Sequence, residues 1–263
     1  MLRTGRAGSA QALDVRPGCA GLGGRSGSGG FVNAAQLLFS QGFGTRRVCA
    51  ALIAEGRLRI GGQVVGDPGA EVDVRTGVVF EVDGVAWPWH ERAIVLLHKP
   101  GGYECSQRPS AWPSVLSLLP APLRTRGVQP VGRLDADTTG VLLLSDDGAL
   151  IHRLTSPKTH VPKVYEVGTR HPVDDAMVER LLDGVVLDDD PKPVRAAACA
   201  GTGERGLRLT LTEGRYHQVK RMVAAAGNRV ETLHRSAFGP VQLPHDLAPG
   251  QWRWLDGWPP APG

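Results

Sequence analysis

Three stretches carry side chains that could do chemistry together. The first is Val131-Gly132-Arg133-Leu134-Asp135-Ala136-Asp137-Thr138-Thr139-Gly140, with the apolar run Val141-Leu142-Leu143-Leu144 leading straight out of it. Its carboxylate, Asp135, follows Arg133 at a turn. A turn needs Asp, Thr and Gly for its own sake, so in isolation the stretch is a solvated loop. Company changes that reading. Lys163-Val164-Tyr165 comes next, and Glu213-Gly214-Arg215-Tyr216-His217-Gln218-Val219-Lys220-Arg221-Met222 comes later. An acid, an aromatic and a basic pair on three separate elements could meet in one cleft. A glycoside hydrolase would need two carboxylates flanking the scissile bond. Asp135 and Asp137, so close together at one turn, are poorly placed to face each other across a sugar.

The composition sets bounds on partners. The chain has 263 residues and a formal net charge of +4, which suits one or two domains plus tails and is compatible with a polyanion. The basic charge is uneven. From Gly203 to Arg235 the chain carries Arg205, Arg208, Arg215, Lys220, Arg221, Arg229 and Arg235 against Glu204, Glu213 and Glu231. Cys19, Cys49, Cys105 and Cys199 are far apart, so neither a zinc nor a redox spacing is present, and Cys49 reads as a buried free thiol. Reducing cytoplasm is the expected compartment. No apolar run approaches membrane-spanning length, so no membrane partner is expected. Asp146-Asp147 could suggest a metal, but a helix start needs the same residues and no cluster accompanies them, so no metal is expected.

These residues must be held by elements that the sequence announces locally. Residues 1–34 are rich in Gly, Ser and Arg and are expected to be a disordered extension. Gln36 to Phe39 reads as a short helix. Thr45 caps a helix from Arg46 to Glu55, which Gly56 ends. Arg57–Ile60 and Gln63–Val65 flank Gly61-Gly62 as a hairpin. Short strands follow around Val72, Phe80 and Val82. Residues 84–93 read as a linker, in which Trp87 and Trp89 either stack on bases or, more simply, pack a domain joint. Ile94–Leu97, Val141–Leu144, Val164–Val167, Leu207–Leu211 and Arg229–Leu233 read as strands. Helices are predicted after Asp147, over Asp174–Leu182 and after Arg215. Residues 255–263 look loose. The predicted class is α+β, with a mixed, mainly antiparallel sheet flanked by helices.

Two family resemblances follow from these motifs. Residues 35–83 resemble an S-four-type RNA-binding domain, on Thr45-Arg46-Arg47, Leu52-Ile53-Ala54-Glu55-Gly56-Arg57-Leu58 and Gly62-Gln63-Val64-Val65. This implies an RNA face built from Arg46, Arg47, Arg57 and Arg59, whose guanidinium groups engage phosphates. From about Ala35 to Trp254 the chain resembles a bacterial rRNA pseudouridine synthase, with residues 94–254 as the catalytic domain. The resemblance rests on Val131–Asp135, Lys163–Tyr165 and Gly214–Met222, and Asp137–Gly140, His152–Pro157 and Leu247–Gly250 point to the small-subunit (16S) type. A large-subunit (23S) enzyme, or a non-catalytic RNA-binding or ribosome-assembly protein on the same fold, remains the alternative.

The second resemblance implies isomerisation of uridine within RNA, with no cofactor. It makes Asp135 the catalytic carboxylate, Lys220 its basic partner and Tyr165 the aromatic that stacks on uracil. A nearby cation would favour the ionised form of Asp135. Arg221, one residue along, is the fallback for Lys220. Arg133 would fill the gap left by a flipped nucleotide, while Arg215, His217 and Gln218 would bind RNA or brace the site. The expected partner is small-subunit rRNA or an assembly intermediate of that subunit, bound by a monomer. His98, before Lys99-Pro100, departs from the Asn expected there and bears on loop hydrogen bonding.

Overall fold

The computed structural model describes residues 30–75 and 77–259. Strand β1 (Phe31–Asn33) leads into helix α1 (Ala34–Ser40), where Asn33 Oδ1 accepts from the Gln36 N–H at 2.7 Å and caps the first turn. Thr45 caps α2 (Arg46–Ala54) in the same way. Strands β2 (Leu58–Ile60) and β3 (Gln63–Val65) form the expected hairpin. Gly61 and Gly62 have φ of +57° and +78°, which suits the two-residue turn whose twist matches its strands. β4 (Glu71–Asp73) pairs with β1. β5 (Val79–Val82) and β6 (Val85–Pro88) complete an antiparallel sheet in the order β3-β2-β5-β6.

The second sheet opens with β7 (Ile94–Lys99). A 3-10 turn at Val115–Leu118 precedes α3 (Ala121–Arg126), β8 (Gln129–Pro130), β9 (Thr139–Ser145) and α4 (Gly148–Thr155). Then come β10 (Lys163–Thr169), α5 (Asp175–Asp183), the hairpin of β11 (Val185–Leu187) and β12 (Asp190–Val194), β13 (Ala198–Gly203) and β14 (Gly206–Leu211). The chain ends with α6 (Gln218–Ala225), β15 (Val230–Phe238), β16 (Val241–Gln242) and β17 (Trp252–Trp254). The strand order is β13-β14-β10-β15-β9-β7-β17, with β8 added on β9 and β16 on β15. β15 runs parallel to β9, and the other strand pairings of this sheet are antiparallel. The architecture is therefore the expected α+β with a mixed, mainly antiparallel sheet.

β7 and β9 are continuous apolar runs because both of their faces are covered. Val95, Leu97, Leu142 and Leu144 join one core with Met177 and Leu181 of α5 and Met222 and Val223 of α6. Ile94, Leu96, Val141 and Leu143 join a second core with Leu150 and Leu154 of α4. Asp147 starts α4 by accepting from the Leu150 N–H at 3.0 Å, and Asp146 pairs with Arg126, so both acids have structural work.

Three expected boundaries need correction. Order reaches back before residue 35, because β1 finds a partner in β4, while residues 1–29 lie outside the described residues. The expected linker 84–93 is partly strand, since β6 pairs with β5 along its whole length. Trp87 is buried against Phe43 and Trp254, and so packs a joint. The tail is not loose up to residue 259: the Leu255 N–H donates to Ile94 O at 2.9 Å and Trp258 packs edge-on against Phe238. The two sheets are also tied by Arg126, which reaches Gln41 Oε1 at 2.6 Å and His90 O at 2.7 Å.

Candidate active site

The loop between β8 and β9 is fixed from three directions. The Val131 N–H donates to Leu143 O at 2.7 Å, and the Thr138 N–H closes a turn onto Asp135 O at 3.1 Å. From below, the fully buried Lys99 ammonium donates to Pro100 O, Ala136 O and Thr138 O at 3.0, 3.1 and 2.7 Å. Burial pushes that ammonium below the usual lysine value. The Leu134 N–H meets Cys105 Sγ at 3.4 Å, and burial pushes this thiol up. Gly140 lets the loop approach β15 closely. Its φ is +107°, and a Cβ there would lie 2.1 Å from Arg235 O. With both ends and the middle held, the Asp135 side chain is presented at the foot of α6.

There it meets two side chains from the first turn of α6 and its cap. Lys220 Nζ lies 3.1 Å from Asp135 Oδ2, and His217 Nε2 lies 3.3 Å from Asp135 Oδ1. Lys220 also donates to both oxygens of Asp137, at 2.7 and 2.9 Å. Burial alone would lower the Lys220 ammonium, but the two carboxylates outweigh it and raise its pKa. Burial alone would likewise raise Asp137, and the bond and charge of Lys220 outweigh it in the other direction. An ammonium held between two carboxylates beside a helix N-terminus is a stable home for negative charge. His217 itself adopts a left-handed backbone, φ +47°, to begin the helix.

This cluster opens into a cleft of about 710 Å³, the size of a nucleotide site. Tyr165, nearly buried on β10, forms part of its wall, as does Arg133. Arg133 is exposed and has no side-chain partner among the described residues, so no salt bridge holds it to the loop. Gln218 is buried and braces the approach to α6. Its Oε1 accepts from the Arg215 N–H at 2.8 Å, and its Nε2 donates to Glu213 Oε1 at 3.2 Å. Arg215 Nε lies 3.3 Å from Glu213 Oε2.

Other expected site residues stand apart from Asp135. Arg221 pairs with Asp189 and donates to Tyr216 O at 3.3 Å, so Lys220 and not Arg221 faces Asp135. In the first sheet unit, Arg46 and Arg47 are exposed on α2, with Arg46 over the Phe39 ring at 4.7 Å. Arg59 Nη1 donates to Gly62 O at 3.2 Å. Arg57 is committed to carboxylates: it forks onto Asp83 at 2.7 and 2.6 Å and lies 3.3 Å from Glu55. These pairs are at the surface, where all three side chains remain exposed.

Sequence reasoning missed Lys99, Cys105 and Arg235 as parts of this site, and quoted Lys163 within its motif without a role. Arg235 had appeared simply as one of a basic run. It is buried, donates from Nε to Val141 O at 2.8 Å, and stiffens the parallel junction of β15 and β9. Lys163 lines the cleft and is pushed below the ordinary lysine value by burial. A lysine or arginine inside a strand-forming stretch was the available signal. His98 Nδ1 is 2.7 Å from Leu247 O, and so secures the C-terminal segment beside β7.

Comparison with known proteins bears on this geometry. A family model described as RNA pseudouridylate synthase matches residues 93–225, and an S4 domain model matches residues 35–77. The ribosomal small subunit pseudouridine synthase A of Yersinia pestis is 39% identical over 211 residues, covering 80% of this chain and 89% of that protein. The protein of the same name from Escherichia coli (strain K12) is 38% identical over 211 residues, covering 80% and 90%. A crystal structure described as a pseudouridylate synthase superposes with a TM-score of 0.60 at 33% identity, covering 85% of this chain and 96% of that one.

Proposed function

Because the chain belongs to the RNA pseudouridylate synthase family, we propose that it isomerises a specific uridine of small-subunit rRNA to pseudouridine, with Asp135 as the catalytic carboxylate. The observation that carries the assignment is the position of Asp135: a carboxylate held by main-chain bonds on its loop, flanked by Lys220 and His217, at the mouth of a nucleotide-sized cleft walled by Tyr165. The reaction breaks the bond from C1′ to N1, turns the uracil, joins its C5 to C1′, and then loses the C5 proton while N1 takes one up. It is redox-neutral and adds no atom to the substrate. Asp135 acts at C1′, either attacking it or assisting departure of the base. Lys220 holds the carboxylate in place from 3.1 Å away. Tyr165 stacks on the uracil while it turns, and Arg133 enters the space that the flipped nucleotide leaves.

The S4-type unit supplies sequence-independent affinity through Arg46, Arg47, Arg57 and Arg59, whose cations displace counterions from phosphates. The rRNA substrate places the protein in the cytoplasm. The test is carbodiimide mapping of pseudouridine in both rRNAs from cells lacking the protein, complemented with wild type or with Asp135→Asn. The expected result is one small-subunit site that returns with wild type and not with Asp135→Asn. A large-subunit site would replace the target and keep the chemistry. Full restoration by Asp135→Asn would refute the catalytic carboxylate.

A further inference from the structure

Two large aromatic side chains stand exposed at or beside the cleft. Tyr216 is 70% exposed, and its ring stacks on His217 with centroids 3.8 Å apart and planes 21° apart. Trp112 is 53% exposed on the loop after β7. Its ring lies over Gly102, where a Cβ would be 3.8 Å away, and the Gly102 N–H donates to Ala136 O next to Asp135. Tyr216 lines the cleft, and so do Glu104 and Ser110 of the Trp112 loop.

Both rings are carried on fixed backbone. Glu104 accepts from the main-chain N–H groups of Ser110, Ala111 and Trp112 at 3.0, 2.9 and 3.0 Å. These backbone donors hold its carboxyl below the usual glutamate range. Arg221 Nη1 reaches Tyr216 O at 3.3 Å, and the chain leaves Tyr216 through His217, whose backbone is left-handed. Rigid loops that hold large apolar rings in water gain nothing for the core. They do pre-order a surface on which planar groups can stack at low entropic cost.

Building on the pseudouridine synthase function above, we propose that Trp112 and Tyr216 are stacking platforms for the two bases that flank the target uridine. When that uridine leaves its stack to reach Asp135, each neighbour loses a stacking partner. A ring on each of two cleft-lining loops replaces what is lost and holds the strand in register with C1′ at the carboxylate. Stacking on an aromatic face accepts any base, so these residues position the strand and do not read its sequence. Tyr216 also couples the mouth of the cleft to the chemistry, because the ring it leans on belongs to His217, 3.3 Å from Asp135.

The test uses the full chain and a short RNA spanning the mapped uridine, made intact and with an abasic residue on the 5′ or the 3′ side. Trp112→Ala and Tyr216→Ala are each expected to lower kcat/KM on intact RNA by about tenfold to a hundredfold. Trp112→Phe and Tyr216→Phe should recover most of that loss. On RNA lacking the base that a given ring stacks upon, the Ala variant and wild type should turn over alike, because nothing remains to be stacked. An Ala variant that loses as much on both abasic RNAs as on intact RNA would overturn the proposal, since the defect would then be structural. Ala variants at the wild-type level on intact RNA would overturn it too. Wild type inactive on every RNA offered would instead count against the enzymatic function beneath it.

Discussion

Replacing Lys220 by Met tests whether one ammonium serves the chemistry or merely the surface. Its shortest contacts, 2.7 and 2.9 Å, go to Asp137, but that side chain is 72% exposed and water screens the pair. Asp135 is 27% exposed, Lys220 is 28% exposed, and they are 3.1 Å apart. Two unit charges at that separation attract by about 5 kcal/mol at an effective dielectric near 20. Water reaches part of both side chains and Asp137 shares the ammonium, so about half of this, roughly 2–3 kcal/mol, is the support lost to Asp135. At about 1.4 kcal/mol per tenfold in rate, kcat/KM should fall roughly 30- to 150-fold. Lys220→Arg keeps the charge and the reach, and should lose less than about tenfold. Asp137→Asn leaves the ammonium to Asp135 alone and should cost less than Lys220→Met. Tritium release from C5-labelled uridine in RNA measures all three. A Met variant at the wild-type rate, or an Asp137→Asn variant below the Met variant, would refute the pairing of Lys220 with Asp135 as the functional one.

Gly140→Ala should destabilise the protein by about 3 kcal/mol or more, because the left-handed φ and the 2.1 Å approach to Arg235 O leave a methyl group no room; an unshifted urea midpoint would contradict this. Arg46→Ala with Arg47→Ala should weaken RNA binding and flatten the slope of log affinity against log salt by about 1.4 on single strands or about 1.8 on duplex, and an unchanged slope would remove α2 from the footprint. Burial pushes His90 and His234 below the ordinary imidazole value of 6.5. The unfolded chain therefore takes up protons that the folded chain refuses, so stability is full above pH 6.5 and declines as pH falls through it. His90→Phe keeps a ring stacked on Trp254 and should reduce the drop in urea midpoint between about pH 7.5 and about pH 5.5; an equal drop would assign the slope to other groups.

What the sequence determined by itself was local. Thr45, Asp147 and Asp174 cap the helices that their neighbours' periodicity announced, and Gly61-Gly62 turns the hairpin, because caps and turns are settled within a few residues. The unbroken apolar run Val141–Leu144 announced a strand, and both cores close on it. Asp135, Tyr165 and Lys220 were legible as a set because their motifs travel together, and the structure does bring them to one cleft.

Tertiary structure alone decided the contacts between segments far apart in the chain. No local pattern says that β17 pairs with β7, that β15 meets β9 in parallel, or that Trp87 and Trp254 share one joint. The same holds for charge. Lys99 is an ordinary lysine in sequence and a buried clamp on three carbonyls in space, while Arg57 is a basic side chain in sequence and one paired with Asp83 in space. A side chain's charge is set by its residue type, but what that charge can do depends on the partner and the dielectric around it, and only the folded chain supplies those.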